Sequence, residues 1–168
     1  MKKHASPPPH IRPALASDLH EMQAIRTAAF APIFASFRHM LGDEVYELAQ
    51  RHEDEAQSEL LPSLLDDGHW SVFVALVDDV IVGFVSIRID PERPVGEIGL
   101  NAVAPRMAGR GIGTHMYRYA LDQMRTAGAK VATVATGGDP SHAPARRAYA
   151  RVGFDRVTPG LWMCQRLE

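Results

Sequence analysis

The chain is poor in cysteine: Cys164 stands alone among 168 residues. That excludes an internal disulfide and any multi-cysteine metal site. Long apolar runs are missing too. The longest, Val80 to Ile87, is interrupted by Gly83 and Ser86, far short of the roughly 20 residues that cross a bilayer. An excess of one charge is also absent, since 18 Lys and Arg face 20 Asp and Glu. A protein that coats nucleic acid needs many uncompensated cations, so no nucleic acid and no membrane are expected as partners. The N-terminal Met1-Lys2-Lys3-His4-Ala5-Ser6 runs into Pro7-Pro8-Pro9 rather than an apolar signal core, and the simplest placement is cytoplasmic. Eight histidines are present, yet no two lie within five residues of each other and no H-E-x-x-H occurs, so no metal is expected. No G-x-S-x-G elbow is found either.

What is present fits one globular domain, with 46% hydrophobic and 23% charged residues. Residues 1–10 read as a flexible proline-rich tail and 11–168 as the domain. The net charge of -2 hides a separation: Met1 to Asp67 sums to -5, and Asn101 to Gly160 to +6.

The patterning predicts mixed α+β architecture. Ile11 to Leu15 reads as an edge strand, because Pro13 cannot donate to a central ladder. Ser17-Asp18 offers an N-cap for a helix carrying Leu19, Met22, Ile25 and Ala29, with Pro32 beyond its end. A second helix is expected over Asp43–Leu60, with Val45, Leu48, Ala49, His52, Ala56 and Leu60 along its apolar face. The period then changes to that of strands: Ser71–Val77 and Val80–Ile89, joined at Asp78-Asp79 as a tight hairpin, then Val95–Val103. Gly109-Arg110-Gly111-Ile112-Gly113 opens a helix with Ile112, Met116, Tyr119 or Ala120, and Met124 inward, ended by Gly128. A strand over Val131–Thr136, a helix over Ala143–Arg151 and a last strand around Leu161–Leu167 complete the order.

The glycine loop is the most informative segment. A helix start has unpaired N–H groups and a positive dipole end, and glycine lets a phosphate approach the backbone. Arg106 and Arg110 add full charges beside it. The plainer alternative is a strand-to-helix connection whose glycines serve only to turn. Neither G-x-G-x-x-G nor the P-loop pattern fits, as the sixth position is Thr114 or Met116.

Val103-Ala104-Pro105-Arg106-Met107-Ala108-Gly109-Arg110-Gly111-Ile112-Gly113-Thr114 resembles the acetyl-coenzyme A loop of the GNAT superfamily of N-acetyltransferases. There, V-x-P is followed by [QR]-x-x-G-x-[GA]. Gly111 and Gly113 match its glycines, while Ala108 stands where Gln or Arg is usual. Further on, His142-Ala143-Pro144-Ala145-Arg146-Arg147-Ala148-Tyr149-Ala150-Arg151-Val152-Gly153-Phe154 resembles the family's N-x-x-A-x-x-x-Y-x-x-x-G-F, with His142 replacing Asn.

The resemblance implies a GNAT fold: a twisted, mostly antiparallel mixed sheet of about seven strands flanked by about four helices. It implies acetyl-CoA as acyl donor, held in a V-shaped opening between 95–103 and 131–136. Asn101, Ala102, Val103, Ala108, Gly109, Arg110, Gly111, Ile112, Gly113, Thr114, His142, Ala145 and Tyr149 are the implied cofactor contacts. Tyr149 is implied as the acid that protonates the departing thiolate, and the Val103 N–H as an oxyanion donor. Glu97, six residues before Val103, resembles the general base of histone-type members; a water relay is the alternative. Strand alternation puts Glu97 on the same side as Asn101 and Val103 unless a bulge intervenes. Phe34, Phe37 and Arg38 are implied over the acceptor pocket. The acceptor is a small-molecule or peptide amine, a homodimer is compatible with the family, and the rival reading is a non-catalytic acyl-CoA sensor or scaffold.

Overall fold

The computed structural model describes residues 8–167. Its sheet has five strands in chain order: β1 (His10–Pro13), β2 (Trp70–Val77), β3 (Val80–Ile89), β4 (Val95–Val103) and β5 (Val131–Val134). All neighbours are antiparallel except β4 and β5, which are parallel. Proline ends β1 at the sheet edge, where its missing N–H costs no ladder bond. At the β2–β3 turn both Asp78 and Asp79 take positive φ, 50° and 60°. That is the backbone a two-residue hairpin requires.

Five helices cover the two faces: α1 (Leu19–Leu41), α2 (Asp43–Ala49), α3 (Arg51–Asp66), α4 (Ile112–Thr126) and α5 (Ala143–Arg151). On one face, α4 and α5 bury Ile112, Met116, Tyr117, Leu121, Met124 and Tyr149 against Phe73, Val85, Ile87 and Ile98. On the other, α1 and α3 bury Met22, Ile25 and Leu61 against Val72, Val74, Phe84 and Ala102. The fold is the expected mixed α+β sandwich.

Several sequence expectations need correction. The seven-stranded estimate falls to five among the described residues. The expected last strand, 161–167, is irregular and outside the sheet, with Leu161, Trp162, Met163 and Leu167 exposed. A β-prone run becomes a strand only when an edge pairs with it. His10, assigned to the tail, begins β1; the rest of that tail to residue 7 lies outside the described residues. Helix α1 does not stop before Pro32 but runs through it to Leu41, where Gly42 at φ 77° ends it. The single helix over 43–60 is two, broken at Gln50, whose φ is -122°. That break resets the helical phase. Leu48 is 81% exposed, while Tyr46, Asp54 and Leu61 are the buried residues of α2 and α3. In α4 the inward tyrosine is Tyr117 as well as the partly buried Tyr119, which meets Phe73 edge-on at 5.1 Å.

Candidate functional site

β4 and β5 pair only from Val95↔Val131 to Ile98↔Val134. Beyond Ile98 no strand among the described residues lies beside the outer side of β4. The Ala104 N–H donates inward to Val82 O at 2.8 Å. Alternation then directs the Val103 N–H outward, toward the side β5 has left. This is the expected opening, and its rim carries a backbone donor with no partner among the described residues.

Beneath it lies a polar network. Asn101 Nδ2 donates to Gly99 O at 2.9 Å and to Tyr149 Oη at 3.0 Å, while the Tyr117 hydroxyl donates to Asn101 Oδ1 at 2.8 Å. The Tyr117 and Tyr149 rings lie 4.5 Å apart, and Phe154 closes edge-on upon Tyr149 at 5.8 Å. Burial pushes the Tyr149 hydroxyl above its ordinary value of 10.0, against the hydrogen bonds from Tyr117 and Asn101 that pull it down. Tyr117 is pushed up further for the same reason. Both are therefore protonated at neutral pH, and Tyr149 has a proton to give. Tyr117 was missed by the sequence reading; the signal was its place one turn after Gly113.

Glu97 is not where alternation put it. The β3–β4 register shifts between Val85↔Asn101 and Ile87↔Ile98, so one extra residue of β4 bulges at Gly99–Leu100. Ile98 above the bulge and Val103 below it both pack with the α4 layer. Glu97 consequently lies on the α1 face, opposite Asn101, where Arg88 Nη2 donates to its carboxylate at 2.5 Å. Arg88 in turn stacks on Trp70 at 5.0 Å. A Cβ on Gly99 would sit 2.4 Å from Trp70 Cζ3, so glycine is required at the bulge.

The loop after β4 makes a 3-10 turn over Pro105–Met107. Gly109 and Gly111 follow at φ 75° and 82°, the left-handed region that favours glycine. Gly111 caps α4 with no side-chain hydrogen bond to its first amides, those of Ile112, Gly113 and Thr114. Gly113 differs from its neighbours. A Cβ there would meet nothing nearer than 3.7 Å, so the protein's own packing does not demand glycine. Ala108, Arg106 and Arg110 are exposed around the loop, while Ile112 and Ala102 turn their side chains into the core. Uncapped amides, flanking arginines and a glycine the fold does not need suit a phosphate-bearing ligand.

A 3-10 turn over Pro140–His142 precedes α5. Burial raises the Asp139 carboxylate, but hydrogen bonds from Ser141 and His142 outweigh it and hold the group below its ordinary value. His142 Nδ1 lies 2.5 Å from Asp139 Oδ2, and its ring stacks on Phe37 at 6.1 Å. Phe37, on α1, thus reaches the turn that leads into α5. Phe34 and Arg38, expected beside it, line a cleft between α1, α2 and α3. Ala145 packs against the core beside Tyr149.

Residues 34–154 match the Acetyltransferase (GNAT) family. The chain belongs to that family, and the match spans both the glycine loop and the Tyr149 helix. A mycothiol acetyltransferase from Sanguibacter keddieii is 32% identical over 100 residues, 56% of this chain and 31% of that relative's length. The chain thus covers about a third of that curated relative. Among solved structures, the ribosomal-protein-S18-alanine N-acetyltransferase from Escherichia coli superposes with a TM-score of 0.65 at 14% identity, over 89% of this chain and 79% of that one. The aminoglycoside N-acetyltransferase AAC(6')-Iy, in complex with a bisubstrate analogue, does so with 0.63 at 17% identity, over 95% and 99%. At such identities the likeness shows the fold. Among the described residues no helix is long and apolar enough to cross a membrane, and no cluster of three or more His, Cys, Asp or Glu could hold a metal.

Proposed function

We propose that the protein transfers the acetyl group of acetyl-CoA directly to a primary amine. The observation that carries this is the Asn101–Tyr117–Tyr149 network at the mouth of the β4–β5 opening, on a family domain whose glycine loop suits a pyrophosphate. The coenzyme A complexes among its structural neighbours support the same donor. In the reaction, a neutral amine attacks the thioester carbonyl, and the developing oxyanion is met by the Val103 N–H. The tetrahedral carbon then expels the thiolate, which takes its proton from Tyr149; the nitrogen, made cationic by the attack, gives up one proton to solvent, and solvent reprotonates Tyr149. A thiol of pKa about 8.5 asks only modest help to leave.

The harder step is the amine. With a pKa of about 10.4 it stands roughly 3 units from deprotonation at pH 7, or about 4 kcal/mol. Glu97 lies on the α1 face, the side from which an amine passing Phe37 arrives, and a water between them serves as relay. No covalent enzyme intermediate is needed, in keeping with a chain whose one cysteine is exposed at residue 164.

The test is release of free coenzyme A thiol from acetyl-CoA in the presence of an amine panel. Tyr149→Phe is expected to lower kcat by about 10² or more while KM for acetyl-CoA holds. Equal losses in kcat and cofactor affinity remove Tyr149 from the acid role. Binding of acetyl-CoA with no thiol release by any amine makes the chain an acyl-CoA-binding module instead.

A further inference from the structure

The helical layer of α1, α2 and α3 forms an open cleft of about 520 Å³, within the roughly 300–1,000 Å³ usual for small-molecule sites. Its lining shares no residue with the Asn101–Tyr149 network. Three arginines, Arg26, Arg38 and Arg51, line it with Asp54, Tyr46 and Phe34. Two of the three are spoken for: Arg38 pairs with Asp43 and Glu47, and Arg51 with Glu47 and Glu55.

Arg26 is different. It is 6% exposed, and its hydrogen bonds go to neutral groups, Nε to Gln23 Oε1 at 2.9 Å and Nη2 to Thr27 Oγ1 at 3.2 Å. Among the described residues it makes no ion pair. Burial holds its guanidinium below the ordinary value, with Glu59 pulling weakly the other way. A guanidinium has five N–H donors and no way to shed its charge near neutrality. Two neutral acceptors leave most of that capacity unspent, and a buried charge without a counter-charge is costly.

The same cavity holds the mirror case. Asp54 is 5% exposed and receives only neutral donors, the Tyr46 hydroxyl at 2.7 Å and Gln50 Nε2 at 2.8 Å. It makes no ion pair among the described residues, with Arg26 or any other cation. Across the cleft, α1 therefore offers a cation hydrogen-bonded only to neutral groups and α3 an anion hydrogen-bonded only to neutral groups.

We infer that this cavity binds a small zwitterion, a free amino acid or dipeptide, whose carboxylate meets Arg26 and whose ammonium meets Asp54. The apolar walls given by Phe34 and Tyr46 would cover the carbon frame between the two charges. Each is a charge-assisted contact, so loss of either is expected to weaken binding about tenfold or more.

The test is calorimetric titration of the full chain without acetyl-CoA, so that it stands or falls apart from the transfer reaction. The first probes are a panel of free amino acids and glycyl dipeptides. For the best binder, its C-terminal amide and its N-acetyl derivative follow. The zwitterion is expected to bind about tenfold more tightly than either capped form, and this arm needs no variant. Arg26→Gln should then reduce the zwitterion to the affinity of the amide while leaving the amide unchanged. Asp54→Asn should do the same toward the N-acetyl form, and Arg26→Lys should restore part of the carboxylate preference. No binding by any panel member at millimolar concentration overturns the inference. So does equal binding of free and capped forms, or competition by inorganic phosphate as strong as by the zwitterion, which would mark a bare anion site.

Discussion

The two faces of the sheet are built on different principles. On the α4–α5 face the polar groups that matter are neutral, wholly or partly buried and tied to one another, with Asn101 between two tyrosines. On the α1–α3 face they are charged, and ion pairs such as Arg38–Asp43 and Arg51–Glu47 stitch neighbouring helices at the surface. The first arrangement suits proton donation, because burial keeps a phenol protonated. The second suits selection of a charged partner, because its charges are in place before any ligand arrives. Exposed pairs of that kind add little stability, about 0–1 kcal/mol each, so the helical layer rests on its few apolar anchors.

That difference can be broken by substitution. The largest effect is expected in the helical layer, where Leu61→Ala should cost about 2–5 kcal/mol because Leu61 is fully buried. Leu48→Ala, on the face the sequence pattern favoured, should stay within about 0.5 kcal/mol; chemical denaturation of the pair decides which face packs. On the other side, Gly111→Ala forces an alanine to φ 82° and should cost about 1–2 kcal/mol, read as a lower midpoint with the same denaturation slope.

A pH titration separates the faces without mutation. Tyr117 and Tyr149 are raised above 10.0 in the fold. The unfolded chain therefore loses these protons first as pH climbs past 10, and the folded state, which keeps them, loses stability. Each group contributes at most about 1.4 kcal/mol per pH unit from that point upward. Melting temperatures across pH 9 to 11 should fall more steeply for the native chain than for Tyr117→Phe. Parallel curves would detach the buried tyrosines from the alkaline limb. The smallest effect on stability belongs to Gly113→Ala, expected near zero or slightly favourable because the helix gains an alanine. Its KM for acetyl-CoA should nonetheless rise several-fold. A stable variant with unchanged KM would mean that no phosphate approaches that carbon.

Sequence legibility follows the same division. The β2–β3 hairpin, β4, α4 and α5 end close to where local patterning places them, because Asp78-Asp79, Gly111, Gly128 and Gly153 are punctuation that acts within a few residues. The loop and the Tyr149 helix could be read for the same reason. The α1–α3 layer could not. Pro32 sits inside a helix, and the break at Gln50 turns Leu48 outward, both set by how the helices pack on the sheet rather than by their own periodicity. Nor was the β4 bulge visible, since it is defined by pairing with β3. Glu97 shares a side with Asn101 only in an unbulged strand, and β4 is bulged between them. Phe37 and His142 were both singled out, but nothing in their spacing announces that the rings stack. The Arg26–Asp54 cavity left no trace in any motif.

The bulge at Gly99–Leu100 has a kinetic consequence. It puts the two halves of β4 out of phase, so one strand delivers Asn101 to one side of the sheet and Glu97 to the other. In the proposed reaction the sheet then acts as a septum, pierced where β5 ends. Donor and acceptor reach that gap from opposite sides, and neither stands in the other's doorway. Initial-rate measurements should accordingly show random addition, with each substrate able to bind an enzyme already holding the other's product.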